Sequence, residues 1–218
     1  MNNLEFSIEF DILYNNISSN KAPGLNEYEK SVFLTKAQED IVIELYTGRN
    51  GTQNSFEETE ELRRYLNSLI VTTGCPPYFT EPSITITNNS MCFHLPEDVL
   101  FITRERILTP EEQEIEVYPV SQDELSKILK NPFRGPSKTR ALRLDVGHNI
   151  VEIIYKGEIS SYSLRYIKKP NPIILGTLED DLSINGQSEG SECELDSSIH
   201  RTILERAVAL ALQTMYSK

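Results

Sequence analysis

Apolar residues near the N-terminus recur at the spacing of an amphipathic helix. They are Phe6, Phe10, Leu13 and Ile17, separated by steps of four, three and four residues. Residues at such steps share one helix face, so the pattern predicts a helix from about residue 4 to residue 17. Pro23 and Gly24 then mark a turn.

A second helix is predicted to begin after Asn26. The Asn26 side chain can cap its N-terminus while Glu29, three residues later, reaches back to the cap backbone as in a capping box. Gly48 is a residue type that commonly ends a helix. The apolar residues of this helix are Val32, Phe33, Ala37, Ile41 and Leu45. The two helices together predict a helical hairpin.

A third helix is predicted after a loop. Ser55 and Glu58 have the spacing of another capping box. The helix that they would begin carries Leu62, Tyr65, Leu66 and Leu69. Acidic residues near its start suit the helix dipole and are expected on a solvated face.

From Gly74 onward the helical pattern gives way to short alternating or β-branched runs. Predicted strands cover residues 84–87, 91–94, 99–106, 114–118, 140–146, 150–155 and 162–167. Between the fourth and fifth of them, Ser121 and Glu124 are expected to cap a short helix that ends near Lys130.

Two short connections lie between the last three predicted strands. Gly147-His148 and Lys156-Gly157 are expected to join neighbouring strands as hairpins. Because the strands succeed one another through short loops, antiparallel pairing is favoured over parallel crossovers.

The C-terminal part combines an acidic stretch with a last helix. Residues 177–194 are rich in Asp, Glu, Ser, Gly and Asn and are expected to form a loop that is mobile or ordered by a partner. Asp196 to Ser198 offer N-caps for a helix. One side of that helix carries Ile199, Ile203, Ala207, Leu210 and Thr214.

These elements predict an α+β fold in four parts. Residues 1–73 form an N-terminal helical region, 74–176 a β-rich insert with one short helix, and 177–195 a flexible acidic loop. Residues 196–218 form a C-terminal helix that packs on the N-terminal helices. The predicted architecture is thus a helical bundle with an inserted antiparallel β-domain.

The charge balance restricts the function classes. The chain has 33 acidic and 21 basic residues, for a formal net charge of −12. A protein that grips duplex DNA normally neutralises phosphates with a basic face. The acidity is compatible with a channel wall past which DNA slides without adhering, but composition alone favours a surface that promotes solubility.

Catalytic and metal-binding patterns were compared with the residues that could form them. Cys75, Cys92 and Cys193 are odd in number and widely spaced, which indicates a reducing compartment and no disulfide framework. The histidines His94, His148 and His200 lie in three different predicted elements. We find no zinc motif and no phosphate-binding glycine loop, so no metal, cofactor or enzymatic activity is expected.

An N-terminus without a basic region argues against a signal peptide, and no segment resembles a membrane span.

One compact basic cluster is present, comprising Arg134, Lys138, Arg140 and Arg143. Arginine suits bidentate contacts with phosphate and with carboxylate. The cluster could therefore contact DNA, or acids on a neighbouring subunit, and the second interpretation is preferred. The residues predicted to form a subunit or partner interface are Asn131, Pro132, Phe133, Arg134, Lys138 and Arg140.

Three segments carry a resemblance to a known family. They are residues 10–46 (FDILYNNISSNKAPGLNEYEKSVFLTKAQEDIVIELY), residues 131–145 (NPFRGPSKTRALRLD), and residues 169–213, which include KPNPIIL and CELDSSIHRTILERAVALALQ. In this order they resemble a virion ring protein of crAss-like tailed bacteriophages. That protein belongs to the head-to-tail connector, below the portal.

The resemblance implies a structural role without catalysis. Similar proteins form dodecameric rings that bind the portal above and other tail ring proteins below, and DNA passes through them without sequence-specific binding. It also implies assembly in the host cytoplasm and a final position at the head–tail junction of the virion. Two alternatives stay open: a monomeric α+β protein-binding module of phage or bacterial origin, and an enzyme whose dispersed carboxylates converge in the fold.

Overall fold

The computed structural model describes residues 1–18, 23–49, 59–78, 90–179 and 181–216. Over these residues the fold contains five α-helices and a seven-stranded sheet, which confirms the α+β class. The chain divides into two compact units. Unit 1 is Met1–Leu69 with Lys169–Lys218, and unit 2 is Ile70–Lys168.

The elements have the following bounds. The helices are α1 (Asn3–Ser18), α2 (Glu27–Thr47), α3 (Glu60–Tyr65), α4 (Gln122–Leu129) and α5 (His200–Tyr216). The strands are β1 (Ile70–Cys75), β2 (Ser90–His94), β3 (Val99–Leu108), β4 (Glu114–Val120), β5 (Arg140–Gly147), β6 (Ile150–Ile154) and β7 (Ser161–Lys168).

The ends of α2 form as the sequence predicts. Asn26 Oδ1 accepts a hydrogen bond from the Glu29 backbone N–H at 2.8 Å, and Glu29 Oε2 accepts one from the Asn26 N–H at 2.9 Å. Gly48 ends the helix with a φ of 72°, in the left-handed region that favours glycine. The predicted capping box and terminator are therefore confirmed.

The buried face of α1 differs from the predicted one. Phe6, Phe10 and Tyr14 are buried, whereas Ile17 is exposed. The observed stripe follows steps of four residues, so it reaches Tyr14 in place of Leu13 and Ile17. Lys30 of α2 is almost fully buried and binds Asp11 of α1 at 2.6 Å, which ties the first two helices together.

Helix α5 packs against both α2 and α1. Its buried apolar residues are Ile203, Leu204, Ala207, Val208, Ala211 and Leu212. Thr214, predicted to lie on this face, is exposed. Arg206 of α5 forms a bidentate ion pair with Glu44 of α2, at 2.7 and 3.0 Å. Asp196 Oδ1 accepts from the Ser198 N–H at 3.0 Å and caps the 3₁₀ turn before α5.

Helix α3 begins at Glu60 and is capped by Thr59, whose hydroxyl accepts from the Leu62 N–H at 3.3 Å. The capping box predicted from Ser55 and Glu58 lies outside the described residues. Leu62 is buried, as are Leu66 at the C-cap of α3 and Leu69 in the 3₁₀ turn that follows.

The strand order in unit 2 is β1-β7-β3-β4-β5-β6-β2. The pairs are antiparallel except β4 with β5, which is parallel. The expectation of a wholly antiparallel domain is therefore wrong at this pair. The reason is that residues 121–139, including α4, supply the long crossover that a parallel connection needs.

The two predicted hairpins have different outcomes. Strands β5 and β6 do form a hairpin, whose turn residues His148 and Asn149 both have positive φ, as in a type I′ turn. The predicted hairpin at Lys156-Gly157 is wrong, because β6 pairs with β5 and β2 while β7 pairs with β1 and β3. The strand predicted at residues 84–87 lies outside the described residues, and β1 was not predicted.

The sheet buries side chains on both faces. One face packs mainly aromatic and β-branched residues, including Phe93, Ile107, Val117, Val151, Ile153, Tyr162 and Leu164. On the other face Leu125 and Ile128 of α4 cover Leu142, Leu144 and Ile154. Leu142 and Leu144 of β5 are therefore buried beneath α4.

Residues 174–179 and 181–191 of unit 1, which include most of the predicted acidic loop, fold back on themselves. Ile174 pairs with Ser191, and the Leu178 N–H donates to the Ser188 carbonyl at 2.9 Å. Asn185 and Gly186 both have positive φ at the tip, as in a type I′ turn. We call residues 174–179 and 181–191 the acidic hairpin.

Candidate subunit-interface surfaces

The loop between α4 and β5 contains the predicted interface residues. Asn131 Oδ1 accepts from the backbone N–H of Phe133 at 2.9 Å and of Arg134 at 3.3 Å. A Cβ at Gly135 would lie 2.9 Å from the Asn131 carbonyl, so glycine is required at this close approach. The turn holds Phe133 outward with 88% of its surface exposed.

Further contacts fasten the base of this loop. The Arg140 guanidinium donates to the Phe133 carbonyl at 3.0 Å and lies 4.8 Å from the centre of the Tyr118 ring. The Lys138 carbonyl accepts from the Tyr155 hydroxyl at 3.1 Å. Pro132, Phe133, Arg134 and Lys138 are exposed, while Arg140 is half-buried. The loop is thus a braced protrusion with an aromatic tip.

Arg143 does not share this surface. Its guanidinium donates to Glu105 Oε2 at 3.0 Å, and both side chains are largely buried. The Tyr162 hydroxyl also donates to Glu105. The basic cluster read from the sequence is therefore divided between an exposed loop and a buried ion pair.

A second candidate surface lies on the solvent side of α1. The exposed fractions are 69% for Leu4, 51% for Ile8, 53% for Ile12 and 58% for Ile17. Leu4, Ile8 and Ile12 are four residues apart and share one face. We call these three residues the α1 stripe. Sequence reasoning missed it, although its spacing is as regular as that of the buried face.

An apolar groove lies elsewhere in unit 1. Its volume is about 530 Å³. It is lined by Tyr14, Pro23, Leu25, Tyr28, Glu29, Val32, Phe33, Ala211, Thr214 and Met215. A groove of this size and lining can accept aliphatic or aromatic side chains.

The titratable groups offer little for catalysis. Burial raises the pKa of the Cys75 thiol to about 11, with a further contribution from Glu105. Burial likewise raises the pKa of Cys193 to about 11, so both thiols are protonated at neutral pH and are weak nucleophiles. His94 and His200 each contact a backbone carbonyl through a ring nitrogen.

The described residues contain no group of three or more His, Cys, Asp or Glu side chains that could hold a metal ion. None of the helices in the described part of the chain has the length and apolarity that crossing a membrane requires.

The sequence was compared with known proteins. Residues 1–218 match the family described as phage tail ring protein 3/4. The chain is 46% identical to "Ring protein 3" of Bacteroides phage crAss001, over 97% of this chain and 95% of that protein. It is 39% identical to "Ring protein 4/5" of the same phage, over 97% and 92% of the two chains. The chain therefore belongs to the phage tail ring protein 3/4 family of crAss-like phages, a family of structural and non-enzymatic proteins.

Proposed function

We propose that this chain forms a closed dodecameric ring in the head-to-tail connector of a crAss-like phage. The ring binds the portal and other tail ring proteins, and its lumen forms part of the channel through which DNA is ejected. In this role α1, α2 and α5 act as a helical bundle that presents contact surfaces to neighbouring copies. Two ring proteins of one phage are similar to this chain over nearly its whole length, which supports the proposal.

The observation that carries the proposal is the exposed α1 stripe. Burying its aliphatic side chains against a neighbour would contribute roughly 1 kcal/mol each, since each is about half exposed. A closed ring requires a heterologous contact, in which two different surfaces of the same chain meet. The α1 stripe and the apolar groove of the next copy are such a pair, and Phe133 offers a second anchor.

The acidity of the chain supports the channel role. With a net charge of −12, a ring would repel phosphates and so limit the time that DNA spends on its wall. Contacts with the portal would then depend on shape and apolar area.

The proposal is tested with a double variant that carries Ile8→Glu and Ile12→Glu. Asn16→Glu is the control, because it adds a negative charge at an exposed polar position of the same helix. Light scattering and electron microscopy, with and without portal protein, measure assembly. We expect rings from the wild type and the control and monomers from the double variant. A wild-type protein that stays monomeric at all concentrations and with portal present would contradict the proposal.

A further inference from the structure

The loop between α4 and β5 lies in an uninterrupted run of positive charge. Residues 125–144 contain no acidic residue, and their basic residues are Lys127, Lys130, Arg134, Lys138, Arg140 and Arg143. Arg143 is used in the buried ion pair described above. Lys130, Arg134 and Lys138 are exposed, and none of them forms an ion pair within the described part of the chain. We call residues 130–140 the basic protrusion.

The basic protrusion combines this charge with exposed apolar surface. Phe133 at its tip is almost fully exposed, and Leu129 at the end of α4 is also exposed. The loop is already braced by the hydrogen bonds of Asn131, so binding at its tip would cost little conformational entropy. A fixed aromatic side chain surrounded by basic residues is typical of a protein-binding hot spot. Its partner should therefore offer apolar surface bordered by carboxylates.

Helix α1 in unit 1 has this complementary chemistry. Residues 1–20 contain Glu5, Glu9 and Asp11 but no Lys or Arg. Successive residues of a helix are about 100° apart, so Glu5 and Glu9 form a row along one side of the α1 stripe. Asp11 lies on the other side and already binds Lys30 at 2.6 Å. We call Glu5 and Glu9 the acidic edge.

The carboxylates of the acidic edge can accept further hydrogen bonds. Glu5 is exposed, and its Oε2 accepts from the Asn2 backbone N–H at 2.9 Å, which leaves its other oxygen for a partner. Glu9 is half-buried and forms no ion pair among the described residues. Ile12 follows Glu9 by three residues and is 53% exposed, so apolar surface adjoins the acidic edge.

We propose that the basic protrusion of one copy binds the acidic edge of α1 in an adjoining copy, beside the contact that covers the α1 stripe. This inference rests on the proposed ring and names what the second anchor binds. Arg134 and Lys138 face the carboxylates of the acidic edge, and Phe133 packs on Ile12 at the margin of the stripe. The two surfaces differ, as the heterologous contact of a closed ring requires.

DNA phosphate is the less suitable ligand for the same protrusion. A duplex backbone would satisfy the charges of Arg134 and Lys138, but it offers no apolar surface that could bury Phe133. Unit 1 has 20 acidic and 10 basic residues, so it repels phosphates and attracts the basic protrusion of another copy.

A charge-reversal experiment on the full chain tests the contact. Arg134→Glu is expected to raise the protein concentration at half-assembly by about tenfold, because like charges then face each other. Glu9→Lys, on the opposite surface, should weaken assembly in the same way. The chain that carries both substitutions should assemble better than either single variant, since opposite charges face each other again. Lys156→Glu is the control, because it makes the same charge change at an exposed position of unit 2 outside the protrusion.

The outcomes separate this contact from the ring itself. Rings from the wild type together with unchanged assembly of Arg134→Glu would overturn the contact and leave the ring intact. A double variant that is folded by circular dichroism yet assembles no better than the single variants would also overturn it. Intact rings that lose affinity for a short DNA duplex on Arg134→Glu would assign the protrusion to DNA instead. A wild type that forms no rings would overturn both proposals.

Discussion

At the scale of single residues, Glu105 is the most consequential buried group. Its carboxylate accepts hydrogen bonds from Arg143 and Tyr162 within the core of unit 2. Burial nevertheless raises the pKa of Glu105, and the nearby Arg143 and the hydrogen bond from Tyr162 oppose that shift only in part. The folded protein therefore takes up a proton at this carboxyl at higher pH than the unfolded chain does.

The sign of this shift yields a prediction about pH. Because the folded pKa lies above the unfolded one, the contribution of Glu105 to stability increases as pH falls through the folded pKa and levels off below the unfolded pKa. The free energy of unfolding of the wild type, minus that of Glu105→Gln, should therefore increase as pH is lowered from 7 towards 4. Urea unfolding across this range measures the difference. A difference that stays constant or decreases would show that burial does not dominate the pKa shift of Glu105.

At the scale of elements, the best-predicted features are those whose signals are local. The α2 capping box needs only Asn26 and Glu29, three residues apart, and it forms as predicted. The β5–β6 hairpin likewise depends on a few consecutive residues. The Asn185-Gly186 turn carries an equally local signal that was missed, because the surrounding acidic composition indicated a loop.

Features that depend on distant residues could not be predicted. The parallel β4–β5 pair depends on where α4 packs, which a single sequence does not show. The β3–β7 pair joins residues that are about 60 positions apart in the sequence, such as Arg106 and Ser163. The α1 stripe was missed for a different reason: α1 has apolar residues around much of its circumference, so spacing alone could not tell its buried face from its exposed one.

The capping box supports a prediction at this scale. Asn26→Ala removes the side chain that accepts from the Glu29 N–H, and should lower the free energy of unfolding by about 1 kcal/mol. Asn16→Ala, at an exposed position near the C-terminal end of α1, is the control and should change it by less than about 0.5 kcal/mol. Urea denaturation measures the free energy of unfolding of both variants. Equal losses of this free energy would mean that the Asn26 cap contributes nothing specific to stability.

At the scale of the whole molecule, unit 2 begins and ends at neighbouring points. Ile70 near its start is the register partner of Ile167 near its end, on the paired strands β1 and β7. A segment whose ends meet can be inserted into another domain without separating the flanking residues. Unit 2 also has a core of its own, formed between its strands and α4. We therefore expect it to fold without unit 1.

This expectation is tested with a polypeptide of residues 70–168. Because its core contacts are internal, it should show a β-rich circular dichroism spectrum and unfold cooperatively in urea. It should also stay monomeric, since it lacks both the α1 stripe and the apolar groove, which belong to unit 1. A folded unit 2 that forms rings by itself would locate the ring contacts within the sheet domain and remove α1 from the assembly.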